Sequence, residues 1–189
     1  MFCDLVSSTS LAEQLTPVNY LRVLQSYQQA CTEVIKPWGG HIAQYLGDGI
    51  LVYFGYPQTS LDHIYRAVQA GSQIIAAIQQ LNTTLIEDLG IELAVRIGVS
   101  CGDAIMAQID INCNQGNLAV GLVVNIASRL QNLAVPNSVI ICSTAYQKYM
   151  EYLQFHFQHL GKKNLKGISQ PLDVYQVSHP VVNPLVQIV

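Results

Sequence analysis

The chain has 189 residues, half of them hydrophobic and only 11% charged, with a formal net charge of −3. That balance excludes a disordered chain, which is poor in apolar and rich in charged residues. It also gives no basic cluster of the kind that binds nucleic acid. A chain this long buries ~70% of its unfolded surface, so one domain with a substantial core is expected. So sparse a surface charge also suits a face covered by a partner.

In chain order, residues 1–6 read as a strand that starts without a preceding segment, as if the chain began partway through it. Thr16-Pro17 supplies a helix cap and a favoured first residue. Tyr20, Leu24, Tyr27, Cys31 and Val34 then recur at helical spacing up to Pro37. Ile42–Leu46 and Ile50–Phe54 flank Gly47-Asp48-Gly49, which predicts a hairpin. A long helix follows over about 61–83, with Ile64, Val68, Gly71, Ile75, Ile78 and Leu81 on one stripe. Ile91–Val99 and Ala104–Ile109 read as strands, and 110–117 as a polar turn. Val123–Leu133 predicts a helix, Ser138–Cys142 a strand, 144–150 a short helix and 172–178 a last strand. Residues 179–189 read as a tail or linker to a further region. The longest apolar runs fall far short of the ~20 residues of a membrane span. The order β-α-β-β-α-β predicts an α+β, ferredoxin-like fold with an antiparallel sheet covered by helices.

Five cysteines, at 3, 31, 101, 113 and 142, include no C-x-x-C pair and are odd in number. They read as reduced cysteines, mostly in the core, rather than a disulfide framework or a zinc site. The five histidines form no H-x-x-x-H or triad arrangement, and no Walker loop or G-x-S-x-G elbow is present.

Chemistry is carried by a few polar residues in apolar settings. Asp4 ends an apolar strand and Asp48 sits at the hairpin tip. Carboxylates at neighbouring strand ends can hold Mg²⁺, which takes oxygen ligands and keeps waters and substrate phosphates. Singly, each also reads as a turn residue or a helix cap. Asn125 and Arg129 lie four apart on a helix and share a face, suited to charge on a phosphoryl oxygen or simply to solvent. Arg96, among apolar neighbours, and Lys166 are further cations.

The set Phe2-Cys-Asp4-Leu-Val-Ser-Ser-Thr9, Gln44-Tyr-Leu-Gly-Asp48-Gly-Ile-Leu-Val-Tyr-Phe54-Gly, Val95-Arg96-Ile-Gly98, Asn125-Ile-Ala-Ser-Arg129-Leu and Leu165-Lys166-Gly167…Val174-Tyr175 resembles the class III adenylate/guanylate cyclase catalytic domain. The resemblance spans residues 1–178 and is strongest to the bacterial branch related to soluble adenylyl cyclase. It implies the nucleotide cyclase fold and conversion of ATP to 3′,5′-cyclic AMP and pyrophosphate, for signalling in the cytoplasm. By that resemblance Asp4 and Asp48 are the metal ligands for two Mg²⁺ or Mn²⁺ ions, with the Leu5 carbonyl assisting. Residues Leu5, Val6, Ser7, Ser8 and Thr9 form the phosphate loop, and Arg96 and Lys166 bind the phosphates. Asn125 orients the ribose, and Arg129 stabilises charge on the α-phosphate. It further implies a homodimer with sites at the interface, and regulatory domains on a longer chain. Two positions depart from the adenine-reading pattern. Gln44 stands where the family has Lys, and Leu118 where it has Asp or Thr. Guanylyl cyclase activity, or a catalytically degenerate nucleotide-binding module, are the alternatives these departures leave open.

Overall fold

The computed structural model describes residues 1–111, 114–149 and 156–178. Strand β1 (Phe2–Leu5) leads into a short helix α1 (Ser8–Gln14) and a long helix α2 (Pro17–Ile35). The Thr16 hydroxyl caps α2 by accepting from the Asn19 amide at 3.3 Å. Strands β2 (His41–Leu46) and β3 (Gly49–Tyr53) form the expected hairpin around Gly47-Asp48, with Gly47 at φ 68°. Helix α3 (His63–Leu89) ends at Gly90, in the left-handed conformation that closes helices. Then come β4 (Val95–Val99), β5 (Ile105–Ile111), β6 (Asn114–Val120), α4 (Leu122–Leu133), β7 (Ser138–Cys142), α5 (Ser143–Tyr149), β8 (His156–Lys163) and β9 (Leu172–Ser178).

Seven strands make one sheet in the order β2-β3-β1-β4-β7-β9-β8, while β5 and β6 pair separately as a two-stranded arm. The ferredoxin-like order is thus present in β2-β3-β1-β4. One ladder departs from the antiparallel expectation, because β4 and β7 run parallel. Their connection passes through the arm and α4, and a parallel pair requires such a crossover.

The core lies between the sheet and helices α2 and α3. Tyr27, Cys31 and Ile35 of α2, and Val68, Ile74 and Ile78 of α3, are fully buried there with Cys3, Ile50, Val52 and Ile97. Each fully buried aliphatic side chain of this kind contributes roughly 1.5–3 kcal/mol. Gly71 permits α3 to lie close against the sheet, since a Cβ there would stand 3.2 Å from Val139 and 3.3 Å from Ile97. Among the described cysteines, 3, 31 and 142 are buried and 101 is partly so, and all four are free. Cys113 lies outside the described residues.

Several boundaries differ from the sequence reading. The long helix runs to Leu89. Residues 91–94 stay outside the ladder because the buried Asn82 amide brackets the backbone of Leu93, donating to its carbonyl at 2.9 Å and accepting from its N–H at 2.8 Å. The polar segment 110–117 is mostly strand: Asp110 and Ile111 pair with Gln115 and Asn114. Strand β8 was not expected, because His, Gln and Lys interrupt its apolar pattern at the sheet edge, where only β9 needs covering.

Candidate functional site

The site begins where β1 ends. Asp4 pairs across the ladder with Arg96 of β4, which puts both side chains on the same face of the sheet. The hairpin brings Asp48 to the same place, close enough for the two carboxyl groups to interact. Gly49 lies beside them, its missing Cβ only 3.6 Å from Asp4 Oδ1. Burial, then the nearby Asp48, push the Asp4 carboxyl up to about 6, against the pull of the Leu5 backbone and Arg96. Two carboxylates held together in a half-buried place form a donor set that a divalent cation fits. Among the described residues no group of three His, Cys, Asp or Glu gathers, so any protein ligands here would be the two carboxylates and backbone oxygens.

Helix α4 covers this face. A Cβ on Gly98 would lie 2.2 Å from the Ala127 carbonyl oxygen and 2.4 Å from the Gln131 nitrogen, so the helix rests directly on the β4 backbone. That contact delivers Gln131, 3% exposed, whose amide donates to Asp4 Oδ2 at 3.2 Å. Sequence reasoning missed Gln131. Its only signal was a polar residue one position after the apolar Leu130, on the stripe that packs inward.

Arg129 precedes Gln131 by two residues, which on an α-helix is a rotation of about 200°. Since Gln131 faces Asp4, Arg129 faces away from it. Asn125, exposed and one turn earlier, shares the Arg129 face. The Nε atoms of Arg129 and Arg96 are both buried without a hydrogen-bond partner, although Arg96 still acts electrostatically on Asp4.

Lys166, exposed, lies in the connection from β8 to β9. Lys163 pairs with Leu172 at that turn, and Cys142 with Val174. Asp4 aligns with Arg96, and Arg96 with Ser138, at the other end of β7. The fold therefore places Lys166 at the end of the sheet opposite to Asp4. Within one chain Asp4, Asp48, Arg96 and Gln131 come together; Asn125, Arg129 and Lys166 do not join them.

Residues 5–9 turn from strand to helix at the carboxylates. Val6 donates its N–H to the Ala94 carbonyl at 2.8 Å, and Ser7 adopts the left-handed conformation at φ 55°. Ser8 and Thr9 begin α1, with Thr9 exposed.

Gln44 owes its direction to a bulge. Ile42 pairs with Val52 but Gln44 with Leu51, so one residue is extra in β2. Leu51 pairs with Phe2, and Phe2 with Gly98, hence Gln44 shares their face. Without the bulge it would point the other way, toward α2, as Tyr45 does when it meets Thr32 at 2.8 Å. Leu118, half-buried, sits on β6 next to Ala119, whose N–H donates to the Tyr53 hydroxyl at 2.9 Å.

A model of the adenylate and guanylate cyclase catalytic domain matches residues 1–179. The chain belongs to this family. Adenylate cyclase 1 of Rhizobium meliloti is 25% identical over 94% of the chain and 27% of its own length. The cytidylate cyclase of Escherichia coli is 27% identical over 88% of the chain and 38% of its own length. The crystal structure of the guanylyl cyclase Cya2 superposes with a TM-score of 0.87 at 27% identity, covering 98% of this chain and 93% of that one. The chain thus spans well under half the length of these curated relatives. It is a class III nucleotide cyclase domain, and relatives named for three different bases share its sequence at similar distance.

Proposed function

We propose that the chain acts as a homodimer that converts ATP to 3′,5′-cyclic AMP and pyrophosphate, within a longer signalling protein on the cytoplasmic side. The observation that carries this reading is the division of α4. Gln131 engages the carboxylates of its own chain, while Asn125 and Arg129 present themselves on the other face. A second chain related by a two-fold would then supply Asn125, Arg129 and Lys166 to the first chain's Asp4, Asp48 and Arg96.

In this site Asp4 and Asp48, with the Leu5 carbonyl, would hold two Mg²⁺ or Mn²⁺ ions. Such ions acidify a ribose hydroxyl and neutralise phosphate charge in an in-line displacement. Residues 5–9 and Arg96 receive the β- and γ-phosphates, with Lys166 of the second chain on the leaving pyrophosphate. Asn125 holds the ribose so that its 3′-oxygen faces the α-phosphorus. Arg129 takes up the charge that develops on the α-phosphate oxygens, where a fixed guanidinium is most effective. Its Nε, buried without a hydrogen-bond partner in the chain, suits that role.

For the base, Gln44 offers a donor and an acceptor side by side, the pattern with which an amide pairs adenine. Leu118 adds only packing. GTP is the second reading, since guanylyl cyclases are among the relatives. The test is incubation with Mn²⁺ and ATP, GTP or CTP, quantifying each cyclic product, with Asp48→Ala alongside. The reading expects cyclic AMP in excess and no product from the variant. Cyclic GMP or cyclic CMP in excess would move the substrate. No product from a folded dimer would leave a nucleotide-binding module.

A further inference from the structure

Behind β6 and α4 lies a cavity of about 420 Å³ that none of Asp4, Asp48, Arg96, Asn125 or Arg129 lines. Cys101, His63 and Lys148 stand together on its wall. Cys101 Sγ is 3.7 Å from His63 Nε2. The other ring nitrogen, Nδ1, meets the Ser60 carbonyl oxygen. A carbonyl only accepts, so Nδ1 carries the ring proton and Nε2 offers its lone pair to the thiol. Nucleophile, base and the group that orients the base are thereby in line, the arrangement that activates thiols. Burial pushes the Cys101 thiol up, and Lys148 beside it pulls back without reversing the shift. The resting group is therefore S–H, and reaction depends on the base. The other described cysteines, 3, 31 and 142, are at most 2% exposed.

We propose that Cys101 is a thiol-modification site for small disulfides, with His63 as its base. As the Cys101 sulfur attacks one sulfur of R–S–S–R, its proton passes to His63 Nε2. The S–S bond breaks, and the departing R–S⁻ takes that proton. The products are Cys101–S–S–R and R–SH, so the thiol is oxidised by the disulfide it reduces. The adduct occupies a cavity walled by Ala119, Val123, Val124 and Ala127. These residues intersperse with Leu118, Asn125 and Arg129 on the same strand and helix, so filling the cavity shifts the residues of the proposed nucleotide site. That last effect rests on the cyclase reading; the modification itself does not.

The test treats the full chain with hydroxyethyl disulfide and maps adducts by peptide mass spectrometry over time. Wild type, His63→Gln and Cys101→Ser are compared, with melting temperatures to establish folding. We expect the adduct on Cys101 ahead of Cys3, Cys31 and Cys142, forming at least 10-fold more slowly in His63→Gln. Equal rates in the two proteins overturn the proposal. So does first reaction at another of these cysteines. Should His63→Gln fail to fold, the wild-type rate is compared with that of free cysteine at the same pH, and a slower Cys101 overturns it equally. Cyclic AMP formation is then measured on adduct and unmodified protein. Loss of turnover on modification, reversed by a thiol reductant and absent in Cys101→Ser, is the expected result. An adduct without effect on turnover removes the coupling, whereas absence of turnover before treatment counts against the cyclase reading alone.

Discussion

Gln131 and Asp4, 127 residues apart, are joined by a single amide-to-carboxylate hydrogen bond of 3.2 Å. The bond holds Asp4 Oδ2 in place, while Oδ1 lies beside Gly49, the residue after Asp48. A hydrogen bond to a charged group contributes about 1.5–3 kcal/mol. Gln131→Leu is accordingly expected to weaken Mn²⁺ binding and lower turnover about 10–100-fold, as loss of a ligand-orienting group does. Calorimetric titration of Mn²⁺ reads the first effect and a product assay the second. Unchanged Mn²⁺ affinity would remove Gln131 from the site.

Gly98 makes that bond possible. Any side chain there would meet the α4 backbone at 2.2 Å. Overpacking typically costs about 1–3 kcal/mol, occasionally more, and here the obstacle is backbone that has no rotamer to change. Gly98→Ala should therefore lower the melting temperature and, by lifting α4, uncouple Gln131 from Asp4. A melting curve indistinguishable from wild type would contradict the close packing.

The raised Asp4 carboxyl sets a pH dependence. Its ordinary value is 3.8 and its folded value about 6, so the folded chain binds the extra proton. The associated stability is present below pH ~4 and is lost as pH rises through about 6. The melting temperature of wild type relative to Asp4→Asn, without metal, should thus fall between pH 4 and pH 7. A cation competes with the same proton, so Mn²⁺ affinity should rise steeply between pH 5 and pH 7. A flat affinity across that range would contradict the Asp4 assignment.

The sequence was most legible where local rules act alone. The Thr16-Pro17 start of α2, the Gly47-Asp48 turn and the apolar stripe of α3 follow from capping, turn chemistry and helical period. Asp4 at a strand end, Asp48 at a hairpin tip and Arg96 among apolar neighbours were candidates from the sequence, and the ladder and the hairpin bring them together. Illegible were features set by contacts between distant segments. Gln131 acquires its role through Gly98, and Gln44 its direction from a bulge that simple alternation would have reversed. Tyr53 bonds the Ala119 amide across 66 residues, a contact no local pattern encodes. Cys101 and His63, each unremarkable in its own stretch of sequence, meet only because the end of β4 reaches the start of α3.

In the proposed dimer two chains share each site, with the carboxylates from one and Arg129 from the other. The most direct measurement mixes Asp48→Ala and Arg129→Ala chains and follows cyclic AMP formation. Each variant alone has no complete site, whereas a heterodimer has one intact site and one doubly damaged. Mixing is expected to restore up to about half of wild-type activity within heterodimers. Two folded, dimerising variants that stay inactive when mixed would contradict the shared site.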